Sequence, residues 1–186
     1  MIDGSRSWSY TAHMKNRGVK NWAALLLVLA MVTVARAETY LGYESRTAGF
    51  GIAYPKTWTS TENPGRTTVV LYEKNSAPAT RANVIVSGGP ASPGVKLDDY
   101  DRIMPKLFNL MFENYKQHLK QPTTLGGAPA RMLLFEAMQG KLPIVGFIAY
   151  TIRGGKVYTV MFFSSREKYD GYRQVSGNIL GTFRFL

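Results

Sequence analysis

The chain has 186 residues, carries 23 Lys and Arg against 12 Asp and Glu for a formal charge of +11, and contains no cysteine. That excludes a disulfide framework, a thiolate zinc site, a cysteine nucleophile and the acylated cysteine of a lipoprotein. Hydrophobic residues at 45%, aromatic at 12% and charged at 19% are the proportions of a globular domain, so a disordered tail is excluded too.

Residues 1–37 read as an address. Lys15, Arg17 and Lys20 precede an apolar run from Trp22 to Ala35 in which only Thr33 is polar, and Ala35-Arg36-Ala37 then offers a signal peptidase its small-x-small pattern before Glu38. The alternative is a retained membrane anchor. At about 1.5 Å per residue the run spans roughly 21 Å, short of the ~30 Å hydrocarbon core, so a cleaved signal is the preferred reading. Met1 to His13 is polar, and is either an extended start to the signal or an upstream start with Met14 the working initiator. The expectation is a signal peptide over 1–37, with Ala35, Ala37 and Glu38 marking the cut, and a single exported domain over 38–186. That domain would be periplasmic or extracellular and would meet the membrane only through the transient signal.

The 149 residues from Glu38 keep 18 bases against 11 acids, or +7. A chain of that size buries about 68–70% of its unfolded surface, enough for a core without staples. The bases are scattered, with no run and no aromatic-interleaved motif, so nucleic acid is not an expected partner. The plain reading is a solvated surface. If the charge has a partner, that partner is an envelope protein with an acidic face or an anionic envelope component such as lipid headgroups or cell-wall polymers.

Taken in chain order, strands are expected at 40–46, 50–54, 67–72 and 83–87. A helix should cover 97–120, where Leu97, Tyr100, Met104, Leu107, Met111, Tyr115 and Leu119 recur every three or four residues as one apolar stripe. Asp98, Asp99 and Asp101 crowd its start, where acids cap free amides. Pro105 should kink the helix or move its start to about Met104. Strands follow at 130–138, 144–153, 156–164 and 182–186. Gly154-Gly155 makes a two-residue hairpin turn between Arg153 and Lys156, so the sheet is at least partly antiparallel. A second helix is expected from the capping-box pattern Ser164-x-x-Glu167 to about Leu180, weakened by Gly171 and Gly177. Strands 144–153 and 156–164 are apolar on both faces, so both faces need covers, and the two helices are the natural ones. The fold class expected is α+β, a three-layer α/β/α sandwich around a mainly antiparallel sheet.

Three segments carry a resemblance. Gly49-Phe50-Gly51-Ile52-Ala53-Tyr54-Pro55-Lys56-Thr57-Trp58 resembles the aromatic-x-hydrophobic-x-Tyr-Pro-x-x-Trp opening of the PsbP/DcrB-like family. Thr124-Leu125-Gly126-Gly127-Ala128-Pro129-Ala130 resembles its Leu-Gly-Gly-x-Pro-Ala approach to a strand, and Thr182-Phe183-Arg184-Phe185 resembles its terminal Ser-Phe strand. The resemblance implies a PsbP-like α/β/α sandwich acting outside the cytoplasm as a non-catalytic binding, assembly or accessory domain. In a photosynthetic host it implies a photosystem II-associated factor of the thylakoid lumen. It carries over no metal, cofactor or catalytic residue.

The inventory of reactive groups points away from an enzyme. After residue 37 the only histidine is His118, and no Gly-x-Ser-x-Gly elbow presents a serine to it. A serine-lysine site is the catalytic alternative, although no residue marks one. Asp98-Asp99-x-Asp101 suggests calcium at first sight, but an EF-hand loop counted from Asp98 would need Gly and Glu where Ile103 and Asn109 stand, so the acids read as helix caps. Gly88-Gly89-Pro90 lacks phosphate-loop spacing and reads as a turn. Tyr54-Pro55-x-x-Trp58 reads as a packing anchor at a strand end. No cofactor is expected, and the ligand-binding residues stay unknown at this level.

Overall fold

A computed structural model describes residues 38–65, 67–77 and 81–186. The signal-peptide reading and the cut after Ala35 and Ala37 lie outside the described residues, which begin at Glu38.

Ten strands and two helices make up the described unit: β1 (Tyr40–Ser45), β2 (Phe50–Pro55), β3 (Trp58–Glu62), β4 (Thr68–Glu73), β5 (Asn83–Pro90), α1 (Leu97–Met111), β6 (Glu113–Leu125), β7 (Ala128–Gln139), β8 (Leu142–Arg153), β9 (Lys156–Ser165), α2 (Tyr169–Gly181) and β10 (Arg184–Phe185). They form two sheets, not one. The larger runs β3-β4-β5-β9-β8-β7-β6 and the smaller β1-β2-β10, and every pairing is antiparallel. This is an α+β fold with mainly antiparallel sheets.

The hairpin between β8 and β9 turns where expected. Gly154 and Gly155 have φ of +56° and +71°, and Arg153 pairs with Lys156. Both residues sit in the left-handed region that only glycine enters without strain. β8 is buried along eight consecutive positions, Ile144 to Thr151, because each of its faces meets a separate core. One core gathers Met104 and Phe108 of α1 with Leu133, Phe135, Ile148 and Met161. The other gathers Phe50, Ile52, Trp58, Val84, Phe162 and Ile179, with Tyr169 and Tyr172 of α2 packed against it.

Four expectations need correction. The first helix stops at Met111, because Phe112 is extended and Asn114 takes φ of +52°. Tyr115 and Leu119 continue the helical spacing by coincidence and belong to β6. Pro105 lies inside α1 and does not set its start. The Ser164-x-x-Glu167 box does not form either: Ser164 is buried in β9 and donates to the Ser165 carbonyl at 3.2 Å, and a short 3-10 turn, Arg166–Lys168, precedes α2. Finally, β3 and β6 are strands that the expected set lacks: β3 buries only Trp58 at its start and β6 is exposed along most of its length, so neither shows the apolar alternation that marks a half-buried strand.

Candidate functional site

The acids at the start of α1 divide their labour. Asp99 Oδ2 accepts the Lys96 backbone N–H at 2.8 Å, as a cap should, and its Oδ1 accepts from Arg102 at 2.6 Å. The Lys96 amide and the Arg102 guanidinium hold its carboxyl below the usual carboxylate range. Asp98 and Asp101 do something else. They reach off the helix to the sheet, where Arg131 donates to Asp98 at 2.9 Å and to Asp101 at 3.2 Å. Asp101 also accepts from Lys120 at 3.4 Å and from the Tyr150 hydroxyl at 2.6 Å. Burial alone would raise the Asp101 pKa, but these donors outweigh it and the carboxyl titrates below its ordinary value. Tyr150 is pushed the other way, first by burial and then by the Asp101 charge. These donors already occupy the carboxylates that a cation would need, and the cluster clasps α1 to β6, β7 and β8.

His118 is not on a helix. It stands in β6 with Nε2 at 3.2 Å from Glu136 Oε2, and Glu136 also pairs with Arg166. Lys156, which flanks the β8–β9 turn, gives its ammonium to the Thr47 and Ala48 carbonyls at 3.2 and 3.1 Å. Trp58 is 2% exposed and meets Tyr172 of α2 edge-on at 6.3 Å, so the Tyr54-Pro55-x-x-Trp58 group packs the core.

Two shallow recesses flank α2. One, about 400 Å³, is lined by Thr124, Gly126, Gly127, Leu180 and Phe183, and the other, about 430 Å³, by Tyr40, Asn178 and Thr182. They share Gly177 and Gly181, which leave one stripe of the helix bare. No charged side chain lines either recess. The Thr182 hydroxyl is already committed to the Ala53 carbonyl at 3.0 Å and to the Ala53 N–H at 2.8 Å.

The strongest candidate is the outer face of α1. Met104 and Phe108 point inward at 4% and 2% exposure, whereas Ile103 and Leu107 are 39% and 43% exposed, Leu110 85% and Met111 62%. At positions i, i+4, i+7 and i+8 these four form a second apolar row beside the buried one. The stripe expected from the spacing joins Met104 of the buried row to Leu107 and Met111 of the exposed one and omits Ile103, Phe108 and Leu110. The signal that separates them was present: a helix that covers a sheet with one row does not need this many aliphatic residues.

Ten antiparallel strands in two sheets with a core on each face of the larger define a PsbP-like fold, as the resemblance implied. The solution structure of cyanobacterial PsbP (CyanoP) from Synechocystis is similar over 83% of this chain and 96% of its own, with a TM-score of 0.62 at 14% identity. LpqN of Mycobacterium tuberculosis, involved in cell envelope biogenesis, is similar over 80% of this chain and 91% of its own (TM-score 0.63, 9% identity). The Ran-binding protein Mog1p of Saccharomyces cerevisiae is similar over 80% and 96% (TM-score 0.55, 10% identity). No family model matches the chain, and no curated protein sequence does. At these identities the likeness fixes the fold and leaves the task to be argued from the site.

Proposed function

We propose that this protein is an exported, non-catalytic accessory domain of the cell envelope that works by binding, and that it binds through the outer face of α1. In this reading the fold is a three-layer sandwich: α1, the seven-stranded sheet, and α2 with the small sheet. The seven-stranded sheet in the middle holds the shape and the outer face of α1 is left for a partner. The observation that carries the reading is the exposed row Ile103, Leu107, Leu110 and Met111. A monomer gains nothing from displaying contiguous aliphatic surface, and such patches mark contact sites. Export is supported by the leader-like sequence of residues 1–37 and by the likeness to LpqN, which is described as involved in cell envelope biogenesis. The likeness to CyanoP favours a photosystem-associated lumenal factor as the second reading, should the host be photosynthetic.

The test is capture. The domain from Glu38, immobilised at low ionic strength, should retain a host-envelope component that the Leu110→Asp variant does not. Retention by both alike would remove α1 from the reading. Turnover of generic ester or peptide substrates by the wild-type domain would overturn its non-catalytic half.

A further inference from the structure

The small sheet leaves one edge open. β1 pairs with β2, and its other side pairs with no strand among the described residues. The direction of the free groups on that side follows from β2. The Thr182 hydroxyl lies 2.8 Å from the Ala53 nitrogen and 3.0 Å from the Ala53 carbonyl oxygen, so both backbone groups of Ala53 point away from β1. Gly42 stands opposite Ala53, and in an antiparallel pair its own N–H and C=O then point outward as well. Thr39 and Ser45, at odd positions, agree by turning their carbonyls inward, to the Lys56 and Gly49 amides. Tyr40, Gly42 and Glu44 therefore present their backbone groups to the open edge. This edge lacks the devices that guard β6, which carries Lys116, Lys120, Pro122 and two register breaks, whereas β1 holds no lysine, no proline and no bulge. Gly42 has no positive φ, and a Cβ on it would meet no atom within 4 Å, so a single copy gives no reason for glycine there. Glycine inside a strand weakens it and marks a place where another backbone comes close.

A second copy laid antiparallel about a twofold axis at Gly42 fits this edge. The outward N–H and C=O of Gly42 exchange two bonds with those of its counterpart, Tyr40 faces Glu44 of the second copy, and Leu41, 39% exposed, faces its Tyr43. The charges select the same register. Glu38 and Arg46, four positions to either side of Gly42, fall opposite each other at both ends. Both are exposed, and Arg46 makes no ion pair among the described residues. Neighbouring registers lose these pairs: centring on Leu41 sets Glu38 against Glu44, a like-charge pair that destabilises, and centring on Tyr43 sets Arg46 against Tyr40. Independently of the α1 reading, we propose that two copies of this domain join through β1, antiparallel and twofold about Gly42, so that their three-stranded sheets run on as one. With six residues a side the contact is small, and the association is weak and concentration-dependent.

The chain from Glu38 contains every strand pairing and both core clusters, so it can be tested without residues 1–37. Sedimentation equilibrium over the micromolar to millimolar range should follow a monomer–dimer equilibrium, and exchange of the Gly42 and Glu44 amides should slow as concentration rises. Gly42→Pro removes the central donor, which bonds nothing within one copy, and should abolish the dimer. Arg46→Glu tests the register without touching the backbone: it sets acid against acid at both ends and should weaken dimerisation about tenfold. Adding Glu38→Arg restores opposite charges with the signs exchanged and should return the affinity to near the wild-type value. A monomer at every concentration overturns the proposal. So does a dimer indifferent to Arg46→Glu, or one that the second change fails to restore. A dimer lost instead in Leu110→Asp would assign the contact to α1, against the proposal. Capture of an envelope component by α1 is read separately through Leu110, so failure at β1 leaves that reading as it stands.

Discussion

Two tyrosine hydroxyls in the core beneath α1 have opposite circumstances. That of Tyr150 donates to the Asp101 carboxylate at 2.6 Å, whereas that of Tyr115 is buried with no hydrogen-bond partner among the described residues. Tyr150→Phe removes a charge-assisted bond, so it should cost about 2 kcal/mol and lower the melting temperature by about 4–8 °C. Tyr115→Phe deletes the same atom but relieves an unsatisfied group, so its melting point should hold or rise. Equal losses in the two variants would show that the Asp101 bond contributes nothing particular. The pair Tyr150 and Asp101 also sets two pH windows. Asp101 titrates below its unfolded value, so its contribution is whole above about pH 4 and drains as pH falls through the folded pKa. Tyr150 titrates above its unfolded value, so its contribution is whole below about pH 10 and is lost as pH climbs beyond. Melting followed against pH should show both edges in wild type and weaker ones in Tyr150→Phe. Gly146 is a third residue whose weight is steric. A Cβ there would stand 2.2 Å from the Phe162 carbonyl and 3.0 Å from the Phe135 ring, so Gly146→Ala should destabilise by about 3 kcal/mol. In sequence this glycine is only an interruption of an apolar run, and nothing local reveals the ring above it.

Among the elements, the β8–β9 hairpin and the helix α1 show where sequence is a good guide and where it fails. Gly154-Gly155 between two apolar runs leaves few alternatives, and replacing both by valine should cost a few kcal/mol, since β-branched residues resist positive φ. An unchanged melting temperature would mean that the chain can turn without them. β6 was illegible for a physical reason. It is an edge strand, exposed along most of its length, with irregular pairing between Glu113 and Lys116 and between Gln117 and Leu119, so it shows neither period. Lys116, Lys120 and Pro122 along it are the residues that keep an open edge from pairing with another chain. The candidate site was half legible. The surplus of aliphatic residues in 97–111 is visible in the sequence, but which row faces out depends on where the sheet lies. The acids of α1 were legible as a cap only through Asp99, because the partners of Asp98 and Asp101 are distant in sequence and belong to β6, β7 and β8.

At the scale of the molecule, the +7 carried from Glu38 onward has a measurable consequence if the partner is anionic. Capture should weaken as sodium chloride rises, because the Debye length falls from about 10 Å at 0.1 M to about 3 Å at 1 M. Whatever capture persists at the higher salt reports the aliphatic row of α1, since apolar burial is nearly indifferent to simple salt and strengthens with sulfate. Exported material should begin at Glu38 by intact mass, and a mass retaining Trp22 to Ala37 would place the protein on the membrane. The small sheet adds a constraint in time. β2 takes β1 on one side and β10 on the other, and Thr182 bonds Ala53 across 129 residues of sequence. The β1–β2 hairpin can form as soon as it is made, yet its second edge stays open until residues 182–185 arrive, and non-local closures of this kind are slow. A chain stopped at Leu180 should therefore remain loose and protease-sensitive around β2, and the complete chain should show a late folding phase reported by Phe50 and Phe183, whose rings stack at 6.0 Å. A seam that cannot close early keeps a chain threadable, the state in which an unfolded-chain secretion channel accepts its cargo.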